Sequence, residues 1–114
     1  MGVLWATGGV ASAQDPGQMG TARLQEVASQ FLERSAFASA VPYLHELDRR
    51  LRESDEADAL RARETILYYL GLGRLQSADL MGAAQSLADF LSLYPDSAHA
   101  PMARLYRADA FYYQ

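Results

Sequence analysis

From Thr21 onward the apolar residues of this chain recur at the spacing of a helix, and then the whole arrangement repeats. Leu24, Val27, Ala28, Phe31 and Leu32 follow the i, i+3, i+4, i+7, i+8 pattern that gathers side chains on one face. A second stripe, Phe37, Ala40, Val41, Leu44, Leu47 and Leu51, begins after a short polar break. Shifted by 43 residues the pair returns, with Leu67, Leu70, Gly71 and Leu75 matching the first stripe. Leu80, Ala83, Ala84, Leu87, Phe90 and Tyr94 match the second. A fixed internal period marks an architecture built by stacking one supersecondary unit. Small residues hold matching places in it: Ala28 and Gly71 on the first helix of each pair, Ala40 and Ala83 on the second. Bulk at those places would hold the helices apart.

Turn signals keep the same phase. Arg34-Ser35-Ala36 and Ser77-Ala78-Asp79 are short breaks in which Ser or Asp can cap the next helix, and connections this short make neighbouring helices antiparallel. Pro42 is discordant, since in a helix begun at Ala36 it removes an internal hydrogen bond; either Ser39 is the true cap or the helix kinks there. Arg49, Arg50 and Arg52 followed by Ser54, Asp55, Glu56 and Asp58 suit the end of one helix dipole and the start of the next. The joint between repeats therefore falls near Ser54, with Ala59 assigned to the charged connector. In FLSLYPDSAHAP, Tyr94-Pro95 closes the second pair, Asp96 or Ser97 caps a fifth helix running to about Gln114, and Pro101 sits in the first turn of that helix. The expected fold is all-α: antiparallel helix-turn-helix repeats stacked as a short solenoid of about five helices. Residues 21–114 form the repeat domain, two helix pairs plus the first helix of a third.

Composition agrees and narrows the partners. With 114 residues, half of them apolar, the chain can bury one modest core. Its net charge of −4 and the absence of any basic cluster exclude nucleic acid as an expected partner. All ten basic residues are arginine, and there is no cysteine for a disulfide or a thiolate zinc site. Residues 1–20 read as a signal-peptide remnant or a disordered N-terminus. Residues 3–13 carry no charge, and Ala11-Ser12-Ala13 before Gln14 has the small-x-small pattern that signal peptidase accepts, although no basic residue precedes it. The expected compartment is the periplasm or cell envelope, with no transmembrane span, because crossing takes about 20 consecutive apolar residues.

The spacing Leu24, Ala28, Phe31, Phe37, Ala40, Leu44, Leu47, and again Leu67, Gly71, Leu80, Ala83, Leu87, Phe90, Pro95, resembles the tetratricopeptide repeat (TPR). The run AAQSLADFLSLYPDSAHAPMARLYRADAFYYQ is similar to the joints of bacterial envelope members of that superfamily, namely the outer-membrane-assembly lipoprotein family and the periplasmic protein associated with the Tol-Pal system. Arg74 stands where an aromatic is common, the offset between pairs exceeds the standard unit, and the lipoprotein's acylated cysteine is absent. The resemblance implies a protein-interaction scaffold of the envelope. Stacking of that kind would line a concave groove with Gln25, Ser29, Tyr68, Leu72, Gln76, Leu105, Asp109 and Tyr112, suited to a peptide or a partner helix. The alternative is a structural segment of a longer TPR solenoid with no binding site of its own. A lysine-based carboxylate clamp cannot exist, because there is no lysine.

Catalytic and metal chemistry find little support. His45 and His99 each lack a second His or Cys at ligand spacing. His45-Glu46 with Asp48 reads as a solvated flank beside Leu44 and Leu47 rather than a metal site, and Glu53, Asp55, Glu56 and Asp58 as a solvated helix start. No catalytic residue, cofactor or metal is expected. The aromatic end Phe111-Tyr112-Tyr113 has no helix after it, so the expectation is a continuation of the protein with a helix whose apolar stripe begins some six residues beyond Gln114 or, failing that, self-association through the C-terminal helix.

Overall fold

The computed structural model describes residues 15–113. The signal-like stretch, the cleavage point before Gln14 and the terminal Gln114 all lie outside them. A 3-10 turn over Pro16–Gln18 leads into five helices: α1 (Thr21–Glu33), α2 (Phe37–Arg52), α3 (Ala57–Gln76), α4 (Leu80–Leu93) and α5 (Ala100–Tyr112). There is no strand among the described residues. Each helix packs chiefly on its neighbours in sequence, and the molecule measures 53 × 36 × 21 Å. A thickness of 21 Å is two helix diameters, so the helices form two layers.

The repeat is visible in backbone detail. After α1, Ala36 N–H donates to Phe31 O and Ser35 N–H to Leu32 O; after α3, Asp79 N–H donates to Arg74 O and Ala78 N–H to Leu75 O. These are two Schellman closures in register, and Ser35 (φ 57°) and Ala78 (φ 65°) carry the same left-handed backbone. Neither is glycine, so each costs of order 1 kcal/mol that the packed pair must offset. Asp79 caps α4 by accepting from Gly82 N–H at 3.0 Å. Ser35 does not cap α2.

The core lies in two successive layers. Leu24, Ala28, Ala40, Leu44, Leu47 and Leu70 join α1, α2 and α3; Leu67, Tyr68, Leu87, Phe90, Ala100 and Ala103 join α3, α4 and α5. Helix α3 is shared, since it buries one flank on α2 and the next on α4. The small residues sit at the crossings. A Cβ on Gly71 would lie 2.5 Å from Leu87 Cδ2, and one on Gly73 would overlap the Phe37 carbonyl oxygen and Val41 Cγ2. Ala40 and Ala83 are fully buried.

Several local expectations are corrected. Residues 15–20 belong to the domain: Met19 is buried in the first core layer, and Arg50 donates to Met19 O at 2.7 Å and to Thr21 Oγ1 at 3.0 Å, tying the segment onto α2. Helix α2 starts at Phe37 and continues through Pro42, so Ser39 is not its cap. Ala59 is buried in the first turns of α3 rather than lying in the connector. The joint does fall at Ser54, whose Oγ accepts from Glu56 N–H at 3.1 Å. Helix α5 is capped by neither Asp96 nor Ser97. Its N-cap is His99, with Ser97 Oγ accepting from His99 N–H and Pro101 in the first turn.

The Tyr94-Pro95 joint now has a physical role. Tyr94 Oη donates to the Leu60 carbonyl in the first turn of α3, pinning the end of α4 to the start of its partner.

Candidate functional site

Two clefts open between successive first helices of the pairs. One, of about 330 Å³, is lined by Phe37 from α2, Leu72, Leu75 and Gln76 from α3, and Tyr106 from α5. Close approach of α2 and α3 at Gly73 brings Phe37 to its wall. The other, of about 150 Å³, lies between α1 and α3 over Leu44 and Leu47, with Gln25, Ser29, Thr65 and Ile66 around it. Both are mainly apolar with a few amide and hydroxyl groups.

The eight residues expected on the groove separate accordingly. Gln25 and Ser29 line the smaller cleft, and Leu72 and Gln76 the larger. Leu105 is exposed on α5, Asp109 is half-buried, and Tyr112 is exposed at the helix end, edge-on to Tyr113. Tyr68 is not a groove residue. It is buried in the second core layer, stacked on the His99 ring at 4.3 Å between centroids and tilted against Phe90 at 5.6 Å. Burial pushes its phenol pKa above the ordinary value. Gln76 is committed to the fold as well, because its Oε1 accepts from Ala38 N–H at 2.8 Å. It supplies the N-terminal cap that α2 lacks from its own sequence.

An aromatic relay runs behind the larger cleft. Phe37 stacks on Tyr69 at 5.5 Å, Tyr69 meets Tyr68 edge-on at 5.2 Å, and Phe90 links Tyr68 to Tyr94. The cleft wall is thereby set by the rigid core, which the stripe pattern alone did not reveal.

Glu46 and Asp48 are buried and paired, not a solvated flank. Glu46 meets Arg49 at 2.7 Å and Arg50 at 2.8 Å, while Asp48 meets Arg63 at 2.7 Å and Arg52 at 3.2 Å. His45 instead stands near Arg74, whose guanidinium also donates to the buried Ser86 hydroxyl, joining α2, α3 and α4. Arg74 thus has a polar bridging role between three helices. Among the described residues no three His, Asp or Glu side chains converge as a metal site.

The hydrogen bond from Arg49, and then that from Arg50, hold the Glu46 carboxyl down at about 2. Its ordinary value is 4.5, so the folded state keeps the charge over a range where the unfolded chain binds a proton. The contribution of Glu46 is therefore full above about pH 4.5 and declines as pH falls toward 2. Urea midpoints measured across that window should fall with pH, and Glu46→Gln should flatten this part of the profile. An unchanged slope in the variant would remove Glu46 as its source.

Among the described residues no helix is long and apolar enough to cross a membrane. No family model, no curated protein and no solved structure matches this chain.

Proposed function

We propose that this chain is a protein-interaction scaffold of TPR type, acting in the bacterial cell envelope and binding an extended peptide or partner helix without catalysis. The observation that carries the reading is the apolar cleft between α3 and α5, walled by Phe37, Leu72 and Tyr106. An aliphatic or aromatic anchor of a peptide fits such a cleft, and a wall braced by core aromatics loses little entropy on binding. Leu105, next to Tyr106 on α5, is exposed and adds a large apolar group to the surface of the same helix. Export is proposed from Ala11-Ser12-Ala13 alone.

The engagement of Gln76 in capping α2 favours the second reading, a structural segment of a longer solenoid, because it removes one polar group from recognition. A panel of labelled extended peptides with Leu, Phe or Tyr anchors, read by fluorescence anisotropy, separates the two. Binding that weakens at least tenfold in Leu72→Asp, with helical circular dichroism unchanged, is the expected result. Failure of the whole panel to bind would favour the structural reading. N-terminal sequencing of product exported from a bacterial host tests the compartment, with a start at Gln14 expected.

A further inference from the structure

A third groove lies between α4 and α5. Met81, Ala84, Gln85 and Ala88 form one side and Arg107 and Phe111 the other, enclosing about 250 Å³. It is continuous with the α4–α5 interface, where Ala103 and Ala110 of α5 are fully buried.

Helix α3 shows what such a groove receives. Ile66, Leu70 and Gly73 face α2, and one residue round the helix Leu67 and Gly71 face α4. On α5, Tyr106 and Ala110 take the first role, packing with α4-side core groups. One residue round from these stand Arg107 and Phe111, the latter 54 % exposed. The flank that α3 gives to the following helix is exposed on α5 among the described residues, beside Met81 at 76 % exposure. At the equivalent crossing Gly71 admits Leu87, whereas Phe111 projects outward and asks for a small residue opposite.

Charge narrows the occupant further. Arg107 lies over the Phe111 ring at 5.1 Å, and among the described residues no carboxylate pairs with it. An arginine held at the rim of an apolar groove selects acidic neighbours on whatever docks.

We propose that the α4–α5 groove docks an amphipathic, acidic helix of a partner protein, laying an apolar stripe with a small residue against Met81, Ala84, Ala88 and Phe111 and a carboxylate against Arg107. This surface is separate from the α3–α5 cleft and stands or falls without it.

A suitable probe is a synthetic peptide of residues 79–94, which has the α4 stripe, adjacent alanines, Asp79 and Asp89, and no basic residue. Anisotropy of the labelled peptide with the full chain should show saturable binding. Phe111→Ser should weaken it at least tenfold and Arg107→Glu several-fold, while Leu72→Asp in the other cleft should leave it within twofold. No binding, or binding indifferent to Phe111 and Arg107, overturns the proposal. So does sedimentation showing that the chain pairs with itself through this face, since the occupant would then be a second copy.

Discussion

Phe90→Ala should cost about 3–5 kcal/mol, the range for removing a fully buried phenylalanine ring. Phe90 has no exposed surface and packs between Tyr68 and Tyr94 in the second core layer. A small domain has only about 5–15 kcal/mol in total, so the variant should be marginal at 25 °C with a sharply lower urea midpoint. A second readout reports the same cavity. The Tyr68 phenol is pushed up mainly by burial, and hydration of the space left by Phe90 should bring it back toward the ordinary tyrosine range in an alkaline absorbance titration. A midpoint within 1 kcal/mol of the parent, or an unmoved tyrosine titration, would contradict the role given to this layer.

Gly73→Ala should destabilise by about 2 kcal/mol, even though alanine gains about 1 kcal/mol over glycine in helix propensity. The added methyl meets the Phe37 carbonyl, which is backbone, together with Val41 Cγ2, so relief requires α2 and α3 to separate. Gly71→Ala is the internal comparison, because there the obstacle is side chain alone, Leu87 Cδ2 and Cγ, rather than backbone. Urea midpoints should therefore fall in the order parent, Gly71→Ala, Gly73→Ala. Separation at Gly73 also lengthens the Gln76–Ala38 hydrogen bond, so the Ala38 amide should lose hydrogen-exchange protection in Gly73→Ala alone. Gly73→Ala as stable as the parent would mean that the crossing is looser than the structure has it.

Much of this architecture is legible in the sequence because the signals are local. The stripes of α1, α2 and α4 each face one side, and the turns repeat at a fixed offset, so spacing alone yields five helices and their order. What escapes is long-range or two-sided. Tyr68 looks like a groove residue because α3 is buried on two flanks, and periodicity cannot say which flank is open. Glu46 and Asp48 look solvated because the partner that buries Asp48, Arg63, comes from another helix. Gln76 occupies a groove position by phase, yet its capping of α2 depends on the backbone approach at Gly73. Likewise nothing local to Arg50 announces that it holds the segment ahead of α1.

The packing of each helix chiefly on its neighbours in sequence has a kinetic consequence. Contacts that are close along the chain close small loops, and domains of this kind fold in microseconds to milliseconds. Order can begin at any pair and spread to its neighbours, so helices packed on one side open before those packed on both. Helix α3, held by neighbours on both flanks, is the last to let go. The clefts on either side of it each have one wall on this slowest-opening helix, so a bound side chain would rest on the most persistent element of the described stack.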